Sequence, residues 1–242
     1  MPKKPTITKG RQSTWRPKTA QPEQVHELKI TLDGSKPPIW RRVAVPSGMY
    51  LSDLHEVIQI VMGWTNSHLH QFVVPIRRPK STSEALHSLV QQGLWDKLAD
   101  CMRRDRCLSD PRFELEETED ESKVMLSELA PAVKSKFVYE YDFGDGWEHL
   151  IEVVKIGPPA EGVKCPVCIA GKLACPPEDC GGIWGYYDML EVLKNPKHQD
   201  YKDIREWMPP GFKPECFNLE AINAELAELR GEKSRRTWQP NE

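Results

Sequence analysis

The stretch that decides the fold is residues 137–156, FVYEYDFGDGWEHLIEVVKI. Aromatic or aliphatic side chains alternate with polar ones on both sides of 144–146, a pattern typical of two strands with one buried face. The Gly-Asp-Gly segment between them favours a turn, so the pattern predicts a β-hairpin. Loops of two or three residues both fit. A three-residue loop pairs Tyr141 with His149 and puts every aromatic side chain on one face, so we expect His149 on the core side.

Weaker periodic segments lie on both sides of this hairpin. Alternation over 28–32 and 39–45 predicts two strands, and a third is expected over 68–75, with His68 and His70 on one face. Helices are predicted from the N-cap Ser52 to Gly63, over 84–106, 186–193 and 201–207, and from the N-cap Asn218. Hairpin-joined strands with peripheral helices predict an α+β fold with an antiparallel-rich sheet.

The apolar fraction of the 242-residue chain, 39%, suits one large domain with polar ends. We expect that domain over 23–230, with a helical insertion at 79–110 and a cysteine-rich loop at 165–182. Residues 1–22 are rich in lysine, arginine and proline, which predicts a disordered basic arm, and 231–242 are expected to form a loose tail.

Charge and hydropathy exclude some functional classes. The net charge of −3 gives no general case for binding nucleic acid, and no apolar run approaches the roughly 20 residues that span a bilayer. The basic segment from Met1 to Lys18 lacks the apolar centre of a secretory signal. We therefore expect a cytoplasmic protein without a membrane segment, in which the seven cysteines are thiols or metal ligands.

Four of these cysteines, Cys165, Cys168, Cys175 and Cys180, form two closely spaced pairs in a stretch rich in proline and glycine. Two such pairs can supply four thiolates to one tetrahedral Zn²⁺, and a closed site of this kind is structural. Zinc would also order a segment that has few apolar residues. The alternatives are four unrelated thiols, or a disulfide between Cys168 and Cys175.

Histidines and carboxylates form a second group of candidates. His68 and His70 point the same way on a strand, acids flank the hairpin turn, and Glu178 and Asp179 lie between two cysteines. Around one metal ion such groups make a hydrolase site. The candidate catalytic residues are His68, His70, Asp142, Asp145, His149 and Glu178. The alternative is ordinary turn chemistry for the acids and a core position for His149. The six acids at 114–121 are expected to form a solvated loop.

Basic residues could contact nucleic acid. Arg41 and Arg42 follow Trp40, and Arg77 and Arg78 follow the third predicted strand. Arginine side chains neutralise phosphates, and exposed aromatic residues can stack on bases. The alternative is that these arginines pair with the many acids, which the negative net charge favours.

Several motifs occur in a fixed order: PPIWRR at 37–42, GW at 63–64, HLHQF at 68–72, YEYDFGDGWEH at 139–149 and ACPPEDCGG at 174–182. In this order the chain resembles the plasmid pRiA4b Orf-three-like family over about 24–229. The resemblance implies a family-specific α+β fold and an association with plasmids and insertion elements, but no established reaction. The family pattern includes Cys168 and Cys175 but not Cys165, and relatives often carry valine at the position of Cys180.

Three functions remain open from the sequence. We rank first a zinc-stapled module that binds nucleic acid or a protein of a mobile element. An interaction protein in which all these groups serve turns and core comes second. A metal-dependent hydrolase or phosphoryl-transfer enzyme that uses the His/Asp/Glu group comes third, so the sequence does not decide whether the protein is an enzyme.

Overall fold

The structure is a computed structural model that describes residues 24–75, Gln92 and residues 105–237. Its eight strands are β1 (Val25–Leu32), β2 (Trp40–Pro46), β3 (His70–Val74), β4 (Arg106–Ser109), β5 (Thr118–Asp120), β6 (Lys136–Tyr141), β7 (Trp147–Gly157) and β8 (Val167–Lys172). They form one sheet in the order β5-β4-β3-β6-β7-β1-β2-β8. All neighbours pair antiparallel except β4 and β5, which confirms the α+β fold with an antiparallel-rich sheet.

One face of the sheet is buried because alternate residues of every long strand are apolar. Leu28, Ile30 and Leu32 of β1 are at most 2% exposed, and their neighbours in β7 are equally buried. The periodicity of two therefore places a continuous core on one side of the sheet, while the charged residues between them face outward.

The described helices are α1 (Leu51–Met62), α2 (Leu126–Leu129), α3 (Gly182–Leu193), α4 (Tyr201–Trp207) and α5 (Leu219–Thr237), with short 3-10 turns at Pro111–Phe113 and Glu121–Lys123. Helix α1 packs its apolar stripe into the core and ends at Gly63, whose φ of 80° suits glycine. Ser52 lies inside α1 and Tyr50 is the N-cap, so the predicted cap is wrong by two residues. The Asn218 side chain does cap α5, because it accepts from the Ala221 amide at 3.0 Å.

The hairpin forms as predicted but its register differs. Tyr141 pairs with Trp147, and Tyr139 pairs with His149, so the loop has five residues rather than three. The longer loop exists because Asp142 adopts a φ of 53° and its backbone carbonyl accepts from the Gly146 amide at 2.7 Å. A shift of two residues leaves every side chain on its predicted face, so His149 is on the core side and fully buried.

Other boundaries need correction. Strand β3 begins at His70, so His68 lies in the preceding loop and does not share the buried face of His70. The predicted insertion at 79–110 lies mostly outside the described residues, and its last part forms β4. The arm at 1–22 also lies outside them, whereas α5 continues to Thr237 through part of the predicted tail.

The cysteine-rich segment is only partly a loop. Val167–Lys172 forms the edge strand β8, paired with β2, and Cys168 is buried within it. The order of this part of the described chain is thus provided by sheet pairing and by contact with α5, where Asn223 bonds the backbone of Cys168 at 2.8 and 2.9 Å.

Candidate functional site

Three segments that are distant in sequence meet at one end of the sheet: the loop at 63–69, the hairpin turn at 142–146, and residues 174–182. The Trp64 indole N–H donates to the Pro176 carbonyl at 3.0 Å, which fixes the first segment to the third. The Asp145 carboxylate accepts from the Gly181 amide at 3.2 Å, which fixes the second to the third. These contacts form the frame of the candidate site.

Glu178 fastens this frame. One carboxylate oxygen accepts from the amide and the hydroxyl of Thr65 at 3.0 and 2.5 Å, and the other accepts from the Tyr141 hydroxyl at 2.5 Å. The Tyr141 oxygen also accepts from the Ser67 amide at 3.0 Å. Burial, followed by the bond to Glu178, raises the pKa of Tyr141, so the phenol stays protonated.

Gly182 allows the turn to approach the third segment. A Cβ atom at this position would lie 2.4 Å from the Asp145 carbonyl oxygen, and the φ of +69° is in the left-handed region. A side chain here would push apart the two segments that carry Asp142 and Asp179.

Within the described residues, one group of histidine, cysteine, aspartate or glutamate side chains brings three ligand atoms within 4.8 Å of one another: His68, Asp142 and Asp179, called the rim triad below. His68 Nδ1 lies 3.7 Å from Asp142 Oδ2, and His68 Nε2 lies 3.2 Å from Asp179 Oδ1. The side chains of His68, Asp142 and Asp179 are 26%, 11% and 72% exposed, so the group lies at the surface with access from solvent.

The backbone of the turn holds Asp142 in place. Its Oδ1 accepts from the amides of Gly144 and Asp145 at 3.0 and 3.3 Å, and its own amide donates to Leu69 at 2.8 Å. One carboxylate oxygen is thereby occupied, while the other lies on the side of His68. The position of Asp142 in the rim triad therefore follows from the turn itself.

A second histidine and acid group lies inside the core, consisting of His55, His70, Glu121 and Tyr139; it is called the buried histidine cluster below. The rings of His55 and His70 stack at 3.5 Å with an interplanar angle of 7°, and His70 Nε2 lies 3.0 Å from Glu121 Oε2. His55 donates from Nε2 to the Asn66 side-chain oxygen at 2.8 Å, so its Nδ1 accepts from the Tyr139 hydroxyl at 2.7 Å.

The buried histidine cluster is electrically neutral near pH 7. Burial lowers the pKa of His70 to about 4 and, with a further contribution from His70, lowers that of His55 to about 3. Burial, together with the nearby charges of Asp110 and Asp120, raises the pKa of Glu121 to about 8. A protein core tolerates uncharged polar groups better than charged ones, so this cluster is part of the folded interior.

The six predicted catalytic residues thus separate into three sets. His68 and Asp142 meet in the rim triad, Asp145 and Glu178 hold segments of the frame, and His70 and His149 are buried in the core. His149 donates to the Tyr139 carbonyl at 3.1 Å, and burial lowers its pKa to about 4. The prediction that all six surround one ion is wrong. His70 and His149 lie on the buried face of their strands and point into the core, away from the rim triad.

Comparison with known proteins identifies the family. The sequence profile described as "Plasmid pRiA4b ORF-3-like protein" matches residues 24–221. The chain belongs to this family. The matched range contains the frame, the rim triad and the buried histidine cluster.

Two relatives of this plasmid pRiA4b ORF-3-like chain are informative. "Uncharacterized protein y4hQ" of Sinorhizobium fredii is 33% identical over 213 residues, which is 88% of this chain and 95% of the relative. The crystal structure of the "Protein of Unknown Function MM3350" from Methanosarcina mazei Go1 is 36% identical and has a TM-score of 0.65, with 83% of this chain and 98% of that chain covered. The solved structure supports a family-specific fold, and neither title states a reaction.

Three of the four cysteines of this plasmid pRiA4b ORF-3-like chain have separate surroundings. The Cys168 and Cys180 thiols lie 3.6 and 3.7 Å from the Ala170 and Gly182 carbonyls, and Cys175 lies 3.5 Å from Met62 Sδ. None of the cysteines in the described part of the chain forms a disulfide or belongs to a group of three close ligand atoms. Zinc binding by Cys165, Cys168, Cys175 and Cys180 stays a prediction, and this arrangement of thiols does not support it.

The arginines differ in their placement. Arg41 is 3% exposed, donates to the Val61 carbonyl at 2.7 Å and lies 4.7 Å from the Phe217 ring, so the prediction that it contacts nucleic acid is wrong. The alternating strand places it on the core face of β2. Arg42 lies on the outer face, 2.5 Å from Glu27, and Arg77 and Arg78 lie outside the described residues.

Two residues of these groups were missed by sequence reasoning. Asp179 was recognised as part of the cysteine-rich stretch but was not among the six candidates, although it completes the rim triad. Glu121 was assigned to a solvated acidic loop, yet it is 3% exposed. Only its position directly after the short strand β5 distinguishes it from its acidic neighbours. Among the described helices, none is long and apolar enough to cross a membrane.

Proposed function

We propose that the protein is a metal-dependent enzyme of the hydrolase or phosphoryl-transfer class, in which His68, Asp142 and Asp179 hold one divalent cation. The observation that carries the proposal is the convergence of these three ligand atoms from three different segments of the chain within 4.8 Å. Ligand atoms around an ion at roughly 2.1 Å lie about 3 to 4 Å apart, so small movements suffice. Asp179, the most exposed of the three, is the side chain with the most room to move.

The donor set suits an open catalytic centre. One imidazole and two carboxylates are ligands that Zn²⁺ and Mn²⁺ both accept, and three protein ligands leave positions for water and substrate. A cation held there lowers the pKa of its bound water and polarises a phosphoryl oxygen. In hydrolysis of a phosphoester, the water oxygen forms the new bond to phosphorus, the ester P–O bond breaks, and the departing alcohol takes up the proton that water loses.

The rest of the frame contributes position rather than chemistry. Glu178 is occupied by Thr65 and Tyr141, and Asp145 is occupied by Gly181, so these carboxylates fix the loops that carry the ligands. Such support is what a metal centre requires from residues behind its ligands.

Calorimetric titration of the full chain with MnCl₂ and with ZnCl₂ tests the proposal, together with a metal-dependent assay on bis(p-nitrophenyl) phosphate. We expect saturable binding of one cation per chain, and release of p-nitrophenol that a chelator stops. His68→Ala and Asp142→Asn should each weaken cation binding by at least about tenfold.

His198→Ala is the matched control, because His198 lies 3.7 Å from Asp200 in an exposed pair without a third ligand. This variant should bind the cation as the wild type does. The proposal is wrong if the wild-type chain binds neither cation at millimolar concentration, or if His68→Ala and His198→Ala bind equally well.

The binding module ranks second. The observation in its favour is Trp184, which is 81% exposed on α3, three residues beyond Gly181. An exposed indole can stack on a base or enter a pocket of a partner protein. Filter binding of single-stranded DNA and RNA across a salt series tests the nucleic-acid version, which predicts salt-dependent retention that Trp184→Ala reduces.

A further inference from the structure

One member of the rim triad, His68, lines an open cleft of about 340 Å³. The other lining residues are Asn66, Ser67 and Leu69, together with Arg112 and Phe113 of the first 3-10 turn. His68 therefore belongs both to the rim triad and to the wall of the cleft. A molecule in this cleft would lie beside the cation proposed above.

Arg112 is the positively charged side chain that lines this cleft, and Asp110 holds it in position. Its Nε lies 3.0 and 2.8 Å from the two Asp110 oxygens, and its Nη2 also contacts that carboxylate. The same carboxylate accepts from the Arg112 amide at 2.8 Å, so one aspartate orients both the backbone and the guanidinium. A guanidinium carries five N–H groups, and Asp110 engages only the edge formed by Nε and Nη2.

Exposure and chemistry agree with a ligand-binding role. The Arg112 side chain is 84% exposed, while its partner Asp110 is only 15% exposed, so the cationic partner is the one that projects to solvent. The bond to Asp110 raises the pKa of Arg112, so the group stays charged. Leu69, which lines the same cleft, is 40% exposed and supplies apolar surface.

We infer that this cleft is the substrate subsite of the rim triad and that it accepts a phosphoester. Arg112 binds non-bridging phosphoryl oxygens from the side opposite to the cation, and Leu69 and Phe113 contact the organic part. A divalent cation and an arginine on two sides of one phosphoryl group is an efficient way to balance its charge. The inference rests on the proposed function, because it needs the cation at the rim triad.

Binding of phenylphosphonate, which is not hydrolysed, to the full chain saturated with Mn²⁺ tests the inference. Arg112→Gln should leave the affinity for Mn²⁺ within about twofold and weaken phenylphosphonate by about tenfold or more, the loss typical of a charged hydrogen bond. Arg112→Lys keeps the charge but loses the bidentate geometry, so its affinity for phenylphosphonate should lie between those of the wild type and Arg112→Gln. Arg205→Gln, at an exposed position on α4, is the control and should bind both probes normally.

The outcomes separate the two ideas. Suppose that Mn²⁺ binding is normal and that Arg112→Gln and Arg205→Gln have the same affinity for phenylphosphonate. That result overturns the inference and leaves the proposed function in place. If the wild type binds no Mn²⁺, both are overturned. Thermal melting of each variant without ligand shows whether Arg112→Gln has changed the fold, and in that case the Arg112→Lys result decides.

Discussion

The rim triad and the buried histidine cluster are made of the same residue types but behave in opposite ways. His68 and His70 are two residues apart, yet the first is a quarter exposed beside two carboxylates and the second is enclosed by His55 and Glu121. The rim is open to solvent. In the core, desolvation disfavours charge, which lowers the pKa of His70 to about 4 and raises that of Glu121 to about 8.

The difference shows that a histidine next to an acid does not by itself indicate a site. The deciding quantity is the free energy that the charged form costs at the place where the pair lies. The buried histidine cluster stabilises the fold as a neutral hydrogen-bonded unit, and its connection to Asn66 holds the loop that presents His68.

The largest expected effect separates the two groups by stability. His70→Ala removes a ring stacked on His55 and leaves the Glu121 carboxyl buried without its partner, so we expect a loss of about 2–4 kcal/mol in the free energy of unfolding. His68→Ala should change it by less than about 0.5 kcal/mol. Urea unfolding followed by tryptophan fluorescence measures both. Equal losses in the two variants would remove the distinction between rim and core.

The pH dependence of stability is the next largest effect. His55, His70 and His149 bind protons in the unfolded chain below about pH 6.5 but not in the folded chain until their lowered pKa values of about 3 to 4 are reached. Stability should therefore rise between about pH 4.5 and 6.5. Glu121, with a pKa of about 8 when folded, keeps its proton where the unfolded chain has lost it, so its contribution falls as pH rises towards 8.

The histidine contribution fades only above about pH 7, as the unfolded histidines lose their last protons, while Glu121 lowers stability by at most about 1.4 kcal/mol per pH unit. We expect Glu121→Gln, whose amide cannot ionise, to gain about 1.5 kcal/mol of stability relative to the wild type between pH 6.5 and 8. Denaturant unfolding in buffers of constant ionic strength provides the measurement. Wild-type and Glu121→Gln profiles that run parallel from pH 6.5 to 8 would show that Glu121 is charged in the core.

The smallest expected effect lies at the junction of the two groups. Tyr141→Phe keeps the buried ring and removes the hydroxyl that bonds Glu178 and the Ser67 amide, which should cost about 1 kcal/mol of stability. It should also weaken Mn²⁺ binding several-fold, because the loop carrying His68 loses a support. Unchanged affinity for Mn²⁺ would show that the rim triad does not depend on Glu178.

Much of the fold could be predicted because it follows from local pattern. The alternation in 137–156 identified the hairpin and its buried face, and His149 is on the core side as predicted. The register could not be predicted, since the five-residue loop depends on the left-handed Asp142 and its bonds to the turn amides. Arg41 was misassigned because a strand pattern gives the face of a residue but not the hydrogen-bond acceptors that make an arginine tolerable there.

The candidate site was only half predictable. His68 and Asp142 were recognised as candidates, but Asp179 joins them only when the third segment packs on the hairpin turn at Gly182. His68 is separated from His70 because β3 begins only at His70, which the alternation alone did not show.

By itself the sequence determined the α+β class, the buried face of each long strand and, through the order of its motifs, the family. The class and the buried faces follow from short-range periodicity, and the family follows from motif order. Both can be recognised without knowing which distant segments are in contact. Only the tertiary structure decided which histidines and acids are exposed to solvent and which are buried. Charge and metal affinity depend on burial, and burial is produced by segments far apart in the chain.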